Sequence, residues 1–282
     1  MIVWNNVVLE QLLGDKYRDA CMAELTAIKP GNVHMFADGH GMVVQDFIQS
    51  ANVSAPAIVQ VGLTVGERIL NATQATWNAV GCNTNLGIVL LAAPMIQAAY
   101  SEKGFCRESL QSALKALTVK DAIEAYKAIA IANPAGLGAA AEHDVQDAPQ
   151  VSLLQGMRAA ADRDLIAQQY SDGYQAVFNA LARYKTHLEL WGREAWAVTA
   201  VHLHFLAEFE DSHIARKHGN SMAQAIRLEA KNHFQHFTAQ ENPKLYQASL
   251  LGWDADLKKR GINPGTSADL TVASLLAFNL LH

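Results

Sequence analysis

The polar residues of this sequence gather in short segments between long apolar stretches, and the densest of these segments is EFEDSHIARKHGN. It holds Asp211 after two glutamates, together with the histidines His213 and His218 and the cations Arg216 and Lys217. If the segment is helical, Asp211 and His218 lie two turns apart on one face, and His213 and Lys217 are i,i+4 neighbours. Cations in a last helical turn also suit the helix dipole. The mixture of acid, imidazoles and cations favours a site that binds phosphate and moves protons.

A second polar segment follows the first apolar stretch. Glu24 precedes the sequence KPGNVH, which places Lys29 beside the flexible backbone of Gly31 and Asn32. A cation, a carboxylate and an accessible backbone suit a phosphate or a metal ion. Lys and Gly are also ordinary residues at a helix C-terminus, so both interpretations stay open.

Two more segments carry carboxylates near histidine. Asp46 follows DGHGM, where it is either part of a site or the acidic first turn of a helix. Asp144 lies in the sequence EHDVQD, whose carboxylates and histidine could bind Mg²⁺ or act as acid and base. No spacing in either segment defines a metal site.

The segment GCNTNLG stands directly before the most apolar stretch of the chain. Asn83, Thr84 and Asn85 are all good helix N-cap residues, and a helix N-terminus next to Gly87 can bind an anion. One cap residue is enough for a helix, so three in a row favour a binding function. Near the other end of the chain, GINPGTSADL places Asp269 in the first turn of a predicted helix. Nucleophile-elbow, P-loop, dinucleotide-binding and zinc-protease motifs do not occur in the sequence.

The elements that must position these residues are predicted to be helical throughout, because long alternating β-branched runs are missing. The sequence predicts a single all-α domain over residues 1–282. The predicted helices cover 5–27, 46–54, 56–75, 86–100, 121–131, 151–183, 194–210, 221–237 and 268–281. Because residues 47–66 carry no charge, we expect the second and third of these helices to form a buried central pair.

Composition excludes several classes of protein. The chain is 50% hydrophobic and 17% charged, with a net charge of −5, which excludes intrinsic disorder and argues against a nucleic-acid partner. The longest strongly apolar run, GIVLLAAPMI, is too short to span a membrane, and the N-terminus lacks a signal-peptide pattern. We therefore expect a cytoplasmic protein without a membrane partner. The apolar composition also suggests a homodimer.

Taken in order, the polar segments resemble the triphosphoribosyl-dephospho-CoA synthase family. The resemblance runs from ELTAIKPGNV through NTNLG, PAGLG, EHDVQDAP, ADRDLIAQQY and DSHIARKHG to NPGTSADLTVASLL, and so covers most of the chain. It implies an all-α transferase that moves the 5-triphosphoribosyl unit of ATP to a ribose hydroxyl of 3′-dephospho-CoA and releases adenine. Because the phosphates stay on the ribose, the resemblance also implies Mg²⁺.

The sequence departs from the family pattern at two places. Where the family typically has N-T-H-K-G, this chain has Asn85 and Leu86 in place of the His and Lys, and an H-x-D-M stretch survives only loosely at residues 40–42. The pattern is similar to a divergent branch found in methanogens and in methanopterin-using bacteria. Two alternatives therefore stay open. One is transfer from phosphoribosyl pyrophosphate to a ribitol hydroxyl in tetrahydromethanopterin biosynthesis, and the other is a non-catalytic nucleotide-binding module.

Ribosyl transfer needs a carboxylate near the positive anomeric carbon, a base for the acceptor hydroxyl and cations for the phosphates. We assign these roles to residues of the polar segments, with a histidine as proton shuttle. The predicted catalytic residues are Asp211, His213, His218 and Asp144. The predicted substrate-binding residues are Lys29, Gly31, Asn32, Asn83, Thr84, Asn85, Gly87, Arg216, Lys217 and Asp269. The predicted metal ligands are Glu24, Asp46 and Asp144.

Overall fold

Helices make up the regular structure of the residues that the computed structural model describes, which are 2–133 and 148–282. No β-sheet occurs among them, so the predicted all-α fold is confirmed. The α-helices of the described residues are α1 (Ile2–Thr26), α2 (Val44–Ile58), α3 (Val65–Val80), α4 (Leu86–Ala99), α5 (Arg107–Lys115), α6 (Val119–Ala132), α7 (Leu153–Ala160), α8 (Leu165–Asp172), α9 (Gln175–Trp191), α10 (Glu194–Glu208), α11 (Ser212–His218), α12 (Asn220–Thr238), α13 (Gln247–Lys259) and α14 (Gly265–Leu281).

Three helices, α4, α10 and α14, form the centre of the fold. Each is buried around most of its circumference, as the lack of charge in α4 predicts. The predicted central pair within residues 47–66 is wrong. Only one face of α2 is buried, and α2 runs through Pro56 before a break at residues 59–64. In the described part of the chain, no helix combines the length and the hydropathy needed to cross a membrane.

The first and last helices of the described chain pack against each other. Nζ of Lys16 donates to the carbonyl oxygen of Asn279, and Nδ2 of Asn279 donates to the carbonyl oxygen of Lys16 at 3.2 Å. Side chains of both α1 and α14 belong to the main hydrophobic core. The two ends of the described chain therefore build one surface of the core together.

The predicted single helix over 151–183 is wrong, because the chain bends twice within it. The first bend is at Asp164, where Oδ1 accepts hydrogen bonds from the backbone N–H groups of Ile166 and Ala167 at 2.9 and 3.1 Å and so starts α8. The second bend is at Gly173, whose left-handed φ of 75° ends α8. The first bend brings Asp164 to the lining of a cavity.

The N-terminus of α3 lies against α6 with no room for a side chain between them. The N–H of Gly66 donates to Oδ1 of Asp121 at 2.8 Å, and a Cβ atom at position 66 would lie 2.5 Å from Cα of Asp121. Asp121 also accepts hydrogen bonds from the backbone and the side chain of Thr118 at the start of α6. One carboxylate thus joins the first turns of two helices.

The Gly66→Ala substitution tests this close approach. We expect it to lower the free energy of unfolding by about 1 to 3 kcal/mol, because the added methyl must push α3 away from α6. Gly252→Ala is the matched control, since position 252 lies within α13 with open space around it. That control is expected to stabilise the protein by about 1 kcal/mol through helix propensity. Urea unfolding of both variants measures the difference, and equal effects would contradict the prediction.

Candidate active site

A cavity of about 480 Å³ opens where the first turns of α4, α8 and α14 approach α1 and α11. Its lining combines polar residues with apolar ones, and Ile129, Leu153 and Met157 are among the apolar ones. Its size and its mixed lining are typical of a site for a small molecule. Many of the predicted site residues line it together, namely Glu24, Asn32, Asn83, Thr84, Asn85, Gly87, His213, Arg216 and Asp269.

Glu24 forms an ion pair with Lys29 at the floor of this cavity. Nζ of Lys29 is completely buried and donates to Oε1 of Glu24 and, at 3.1 Å, to Oδ1 of Asn32. Asn32 in turn donates to Oδ1 of Asn263 at 2.8 Å. Burial raises the pKa of Glu24 and lowers that of Lys29, while the attraction between them opposes both shifts. Lys29 therefore holds Glu24 in place and does not line the cavity itself.

The first turn of α4 and the segment before it form the next part of the wall, and three polar residues of that segment are held by hydrogen bonds. Oδ1 of Asn83 accepts from the N–H of Leu86 at 3.2 Å, so Asn83 caps the helix. The other two contact α2, with Thr84 hydrogen-bonded to Ser50 at 2.5 Å and Asn85 to Ser54 at 3.2 Å. These bonds fix the turn that faces the cavity.

The Asp269 carboxylate lies directly against this first turn, because position 87 is glycine. A Cβ atom on Gly87 would lie 2.0 Å from Oδ2 of Asp269, which no side chain could tolerate. None of the described residues donates a hydrogen bond to this carboxylate. Burial raises the pKa of Asp269 well above its usual range, and the carboxylates of Asp211 and Glu24 add to the shift, against the opposite effect of Arg216. The helix dipole of α4 favours ionisation, but without an N–H donor the effect of burial is larger and shifts Asp269, which faces the cavity, towards the protonated acid.

Asp211 does not line the cavity, although it holds the backbone of His213, which does. Its Oδ1 accepts from the N–H groups of His213 and Ile214, at 2.9 and 3.1 Å. Its Oδ2 accepts from the N–H and the hydroxyl of Ser267, at 2.7 and 2.8 Å. With its oxygens used in this way, Asp211 is a positioning residue, and a direct catalytic contact is not supported.

His213 reaches the cavity as a neutral imidazole. Burial lowers its pKa to about 4, and the positive charges of Arg216 and Lys217 contribute to the shift. Next to it, Nη1 of Arg216 forms an ion pair with Oδ2 of Asp164 at 2.5 Å. The Asp164 carboxylate thus caps α8 with one oxygen and holds the guanidinium with the other.

Several predicted residues lie elsewhere. The N–H of Gly31 is donated to Oδ1 of Asp254 at 2.8 Å, so it is not available to a phosphate. The carboxylate of Asp46 caps its own helix by accepting from the N–H of Val43 at 2.9 Å. Lys217 is exposed outside the cavity lining. The remaining two are His218, which contacts the carbonyl oxygen of Gly261 at 3.2 Å, and Asp144, which lies outside the described residues.

The described residues do not fit a resident metal ion. No three histidine, cysteine or carboxylate side chains among them are arranged as metal ligands. The predicted ligand Glu24 is paired with Lys29, and Asp46, which caps its own helix, is not part of the cavity lining. A metal role for Glu24 or Asp46 therefore has no geometric support.

Some cavity residues were not assigned from the sequence. Asp164 and Arg163 belong to the ADRD segment, Asn263 and Thr266 to the NPGTS turn, and Asn220 to the start of α12. The sequence does indicate Asp164 as a helix N-cap, because an Asp before an apolar helical run is typical of that position. The pairing of Asp164 with Arg216, which are 52 positions apart, has no local signal.

Comparison with known proteins places the cavity in context. A family model described as ATP:dephospho-CoA triphosphoribosyl transferase matches residues 10–282. A crystal structure from Archaeoglobus fulgidus, provisionally described as a triphosphoribosyl-dephospho-CoA synthase, has the same fold with a TM-score of 0.63 and 23% sequence identity. The match covers 81% of this chain and 96% of that one. A search of curated proteins gave no significant match.

The Asp269→Asn substitution tests whether the folded protein keeps this acid neutral. Because the pKa of Asp269 is raised by folding, its contribution to stability is present at low pH and is lost as the pH rises towards the folded pKa. We expect the variant to match the wild type near pH 4 and to be more stable near pH 8, by on the order of 1 to 3 kcal/mol. Urea unfolding across this pH range measures the difference.

Asp162→Asn is the matched control for that experiment. The Asp162 side chain is 82% exposed, so its substitution should leave the pH dependence of stability unchanged. A difference between Asp269→Asn and the wild type that stays constant with pH would contradict a neutral Asp269.

Proposed function

Because this chain belongs to the ATP:dephospho-CoA triphosphoribosyl transferase family, a family of transferases, we propose that its cavity moves the triphosphoribosyl unit of ATP to a hydroxyl of 3′-dephospho-CoA. The observation that carries the choice of ATP is the acid at Asp269. Adenine is a poor leaving group unless it is protonated, whereas pyrophosphate leaves with the help of cations. A neutral carboxylic acid inside the cavity suits a departing base.

In the proposed reaction the N-glycosidic bond of ATP breaks as the acceptor oxygen bonds to the anomeric carbon. Asp269 donates its proton to the departing adenine. Glu24, beside Lys29, faces the positive charge that develops on the ribose, and it can stabilise that charge without moving because the ion pair already holds it. Both Asp269 and Glu24 line the cavity, so the proposed acid and the proposed carboxylate can face one substrate.

The acceptor hydroxyl must lose a proton in the same reaction, and His213 is the group we propose for this role. Because its pKa is about 4, His213 is a neutral imidazole at physiological pH and can accept a proton. Asp269 ends the reaction ionised and His213 ends it protonated. Transfer of one proton from His213 to Asp269 through solvent restores the starting state.

The phosphates of the donor bring their own cation in this proposal. Mg²⁺ enters as part of the magnesium–ATP substrate, because the described carboxylates of the cavity do not form a ligand set of their own. The family expectation of Mg²⁺ is thus assigned to the substrate.

A second candidate rests on Leu86. This side chain lines the cavity at the position where the family motif has a lysine, so the wall offers one cation fewer to a triphosphate. That loss favours a shorter donor, phosphoribosyl pyrophosphate, with the ribitol hydroxyl of a methanopterin precursor as acceptor. A cavity that binds nucleotide without turnover is the third outcome.

One experiment separates these candidates and tests Asp269. The purified protein is incubated with Mg²⁺, ATP and 3′-dephospho-CoA, and in parallel with phosphoribosyl pyrophosphate and an aryl-ribitol acceptor. Mass spectrometry follows adenine, pyrophosphate and the ribosylated products. We expect adenine and triphosphoribosylated dephospho-CoA.

Asp269→Asn should lower adenine release by about 100- to 10,000-fold, the usual range for loss of a general acid, while Asp162→Asn keeps the wild-type rate. Pyrophosphate release alone would support the second candidate.

The pH dependence of kcat/KM gives a further test, because it reports the free enzyme. We expect the rate to rise through about pH 4 as His213 loses its proton, and to fall at higher pH as Asp269 ionises. His213→Gln should lack the acidic limb. If the alkaline limb persists in the residual activity of Asp269→Asn, another group is the acid.

A further inference from the structure

Two loops meet beside the cavity, and the contact between them leaves no space for a side chain. A Cβ atom on Gly31 would lie 2.8 Å from Cδ of Pro264 and 3.1 Å from the carbonyl oxygen of Ile262. The hydrogen bond between Asn32 and Asn263 ties the same two loops together. We call this contact the loop junction.

Three histidines from different parts of the chain lie against the loop junction. Nε2 of His40 is 2.7 Å from the carbonyl oxygen of Gly31, and Nε2 of His218 is 3.2 Å from that of Gly261. Nδ1 of His213 is 3.1 Å from the point where a Cβ atom of Gly265 would lie. The imidazoles are therefore held by contacts with the two loops and not by one another.

These histidines also share an electrostatic environment with Lys217. His213 is close enough to His40, His218 and Lys217 for each of their charges to lower its pKa, and Lys217 has the same effect on His40. Lys217 is exposed and has no carboxylate partner among the described residues. We call these four residues, which extend from the cavity wall to the surface, the junction cluster.

The cations that line the cavity or lie directly behind its wall differ from this cluster because each is already paired. Lys29 is bound to Glu24, and Arg216 is bound to Asp164. Arg163 lies 3.4 Å from the exposed Asp162. A chain of phosphates that entered the cavity would meet cations whose charge is compensated, together with further acids. Lys217, at the edge of the site, has no carboxylate partner among the described residues and so carries uncompensated positive charge.

We propose that the junction cluster binds the polyphosphate tail of the sugar donor and holds it at the cavity edge, while the ribose and its base enter. The identity of the donor rests on the proposed function, but the polyphosphate contact does not. Lys217 supplies a permanent charge. Nδ1 of His40 does not contact a carbonyl oxygen, and the negative charge of a bound phosphate opposes the effect of Lys217 on His40, so this nitrogen can donate a hydrogen bond to the phosphate.

Titration calorimetry with inorganic tripolyphosphate tests this contact without any transfer reaction. We expect binding to the wild-type protein and a loss of about tenfold in affinity for Lys217→Ala, the size typical of one charge-assisted hydrogen bond. His40→Asn should weaken binding similarly, and Asn tolerates the left-handed φ of 57° at this position. Lys115→Ala is the matched control, since Lys115 is an exposed lysine at the end of α5, remote from the cavity lining.

Thermal unfolding first establishes that each variant is folded, and Lys217→Glu provides a second variant in which reversed charge should abolish binding. The proposal is overturned if the wild-type protein does not bind tripolyphosphate, or if Lys217→Ala and Lys217→Glu bind it as well as Lys115→Ala does. If tripolyphosphate binds as expected but no adenine is released from ATP, the proposed function fails while the junction cluster stands.

Discussion

The Asp211 carboxylate is the contact on which the geometry of the site depends. One oxygen caps α11 and the other caps α14, so a single buried group fixes the first turns of two helices relative to each other. His213 and Arg216 project from α11, and Asp269 projects from α14. Burial raises the pKa of Asp211, while its four hydrogen bonds oppose that shift by favouring the ionised form. The separation of the proposed base from the proposed acid is therefore set by a residue that touches neither substrate.

The charges of the cavity follow one rule, which is that a group is either paired or neutral. Glu24 and Asp164 each have a cation in contact, whereas Asp269 and His213 have no charged partner in contact, and burial shifts the pKa of each towards its uncharged form. Moving an unpaired charge out of water is costly, so an apolar helical core forces this division. The same division prepares an acid and a base at neutral pH, because each group begins in the protonation state that its proposed role requires.

The sequence was sufficient to predict the helical class and most of the polar residues that line the cavity. Polar residues inside an apolar chain are costly unless they are used, so the segments around Glu24, Asn85, His213 and Asp269 could be identified without coordinates. The bends at Asp164 and Gly173 were missed because their flanking residues continue the helical pattern across both breaks.

The sequence also could not distinguish residues that contact a ligand from residues that hold the site in place. Lys29 and Asp211 look like ligand-binding residues in the sequence, and only three-dimensional packing shows that their polar atoms are used within the fold. The partner of Lys29 is Glu24, only five residues away. The pair is buried, however, by helices that lie far along the chain. The periodicity of apolar residues does not indicate which distant helices will bury a given side chain.

The packing of α1 against α14 has a consequence for how the protein is made. Glu24 leaves the ribosome early, and Asp269 follows only after most of the chain has been translated. Until then the apolar face of α1 has no partner from α14, and the nascent chain carries a half-built core. The cavity is therefore completed only late in translation. A chain truncated before α14 would lack both Asp269 and the helix that packs against α1.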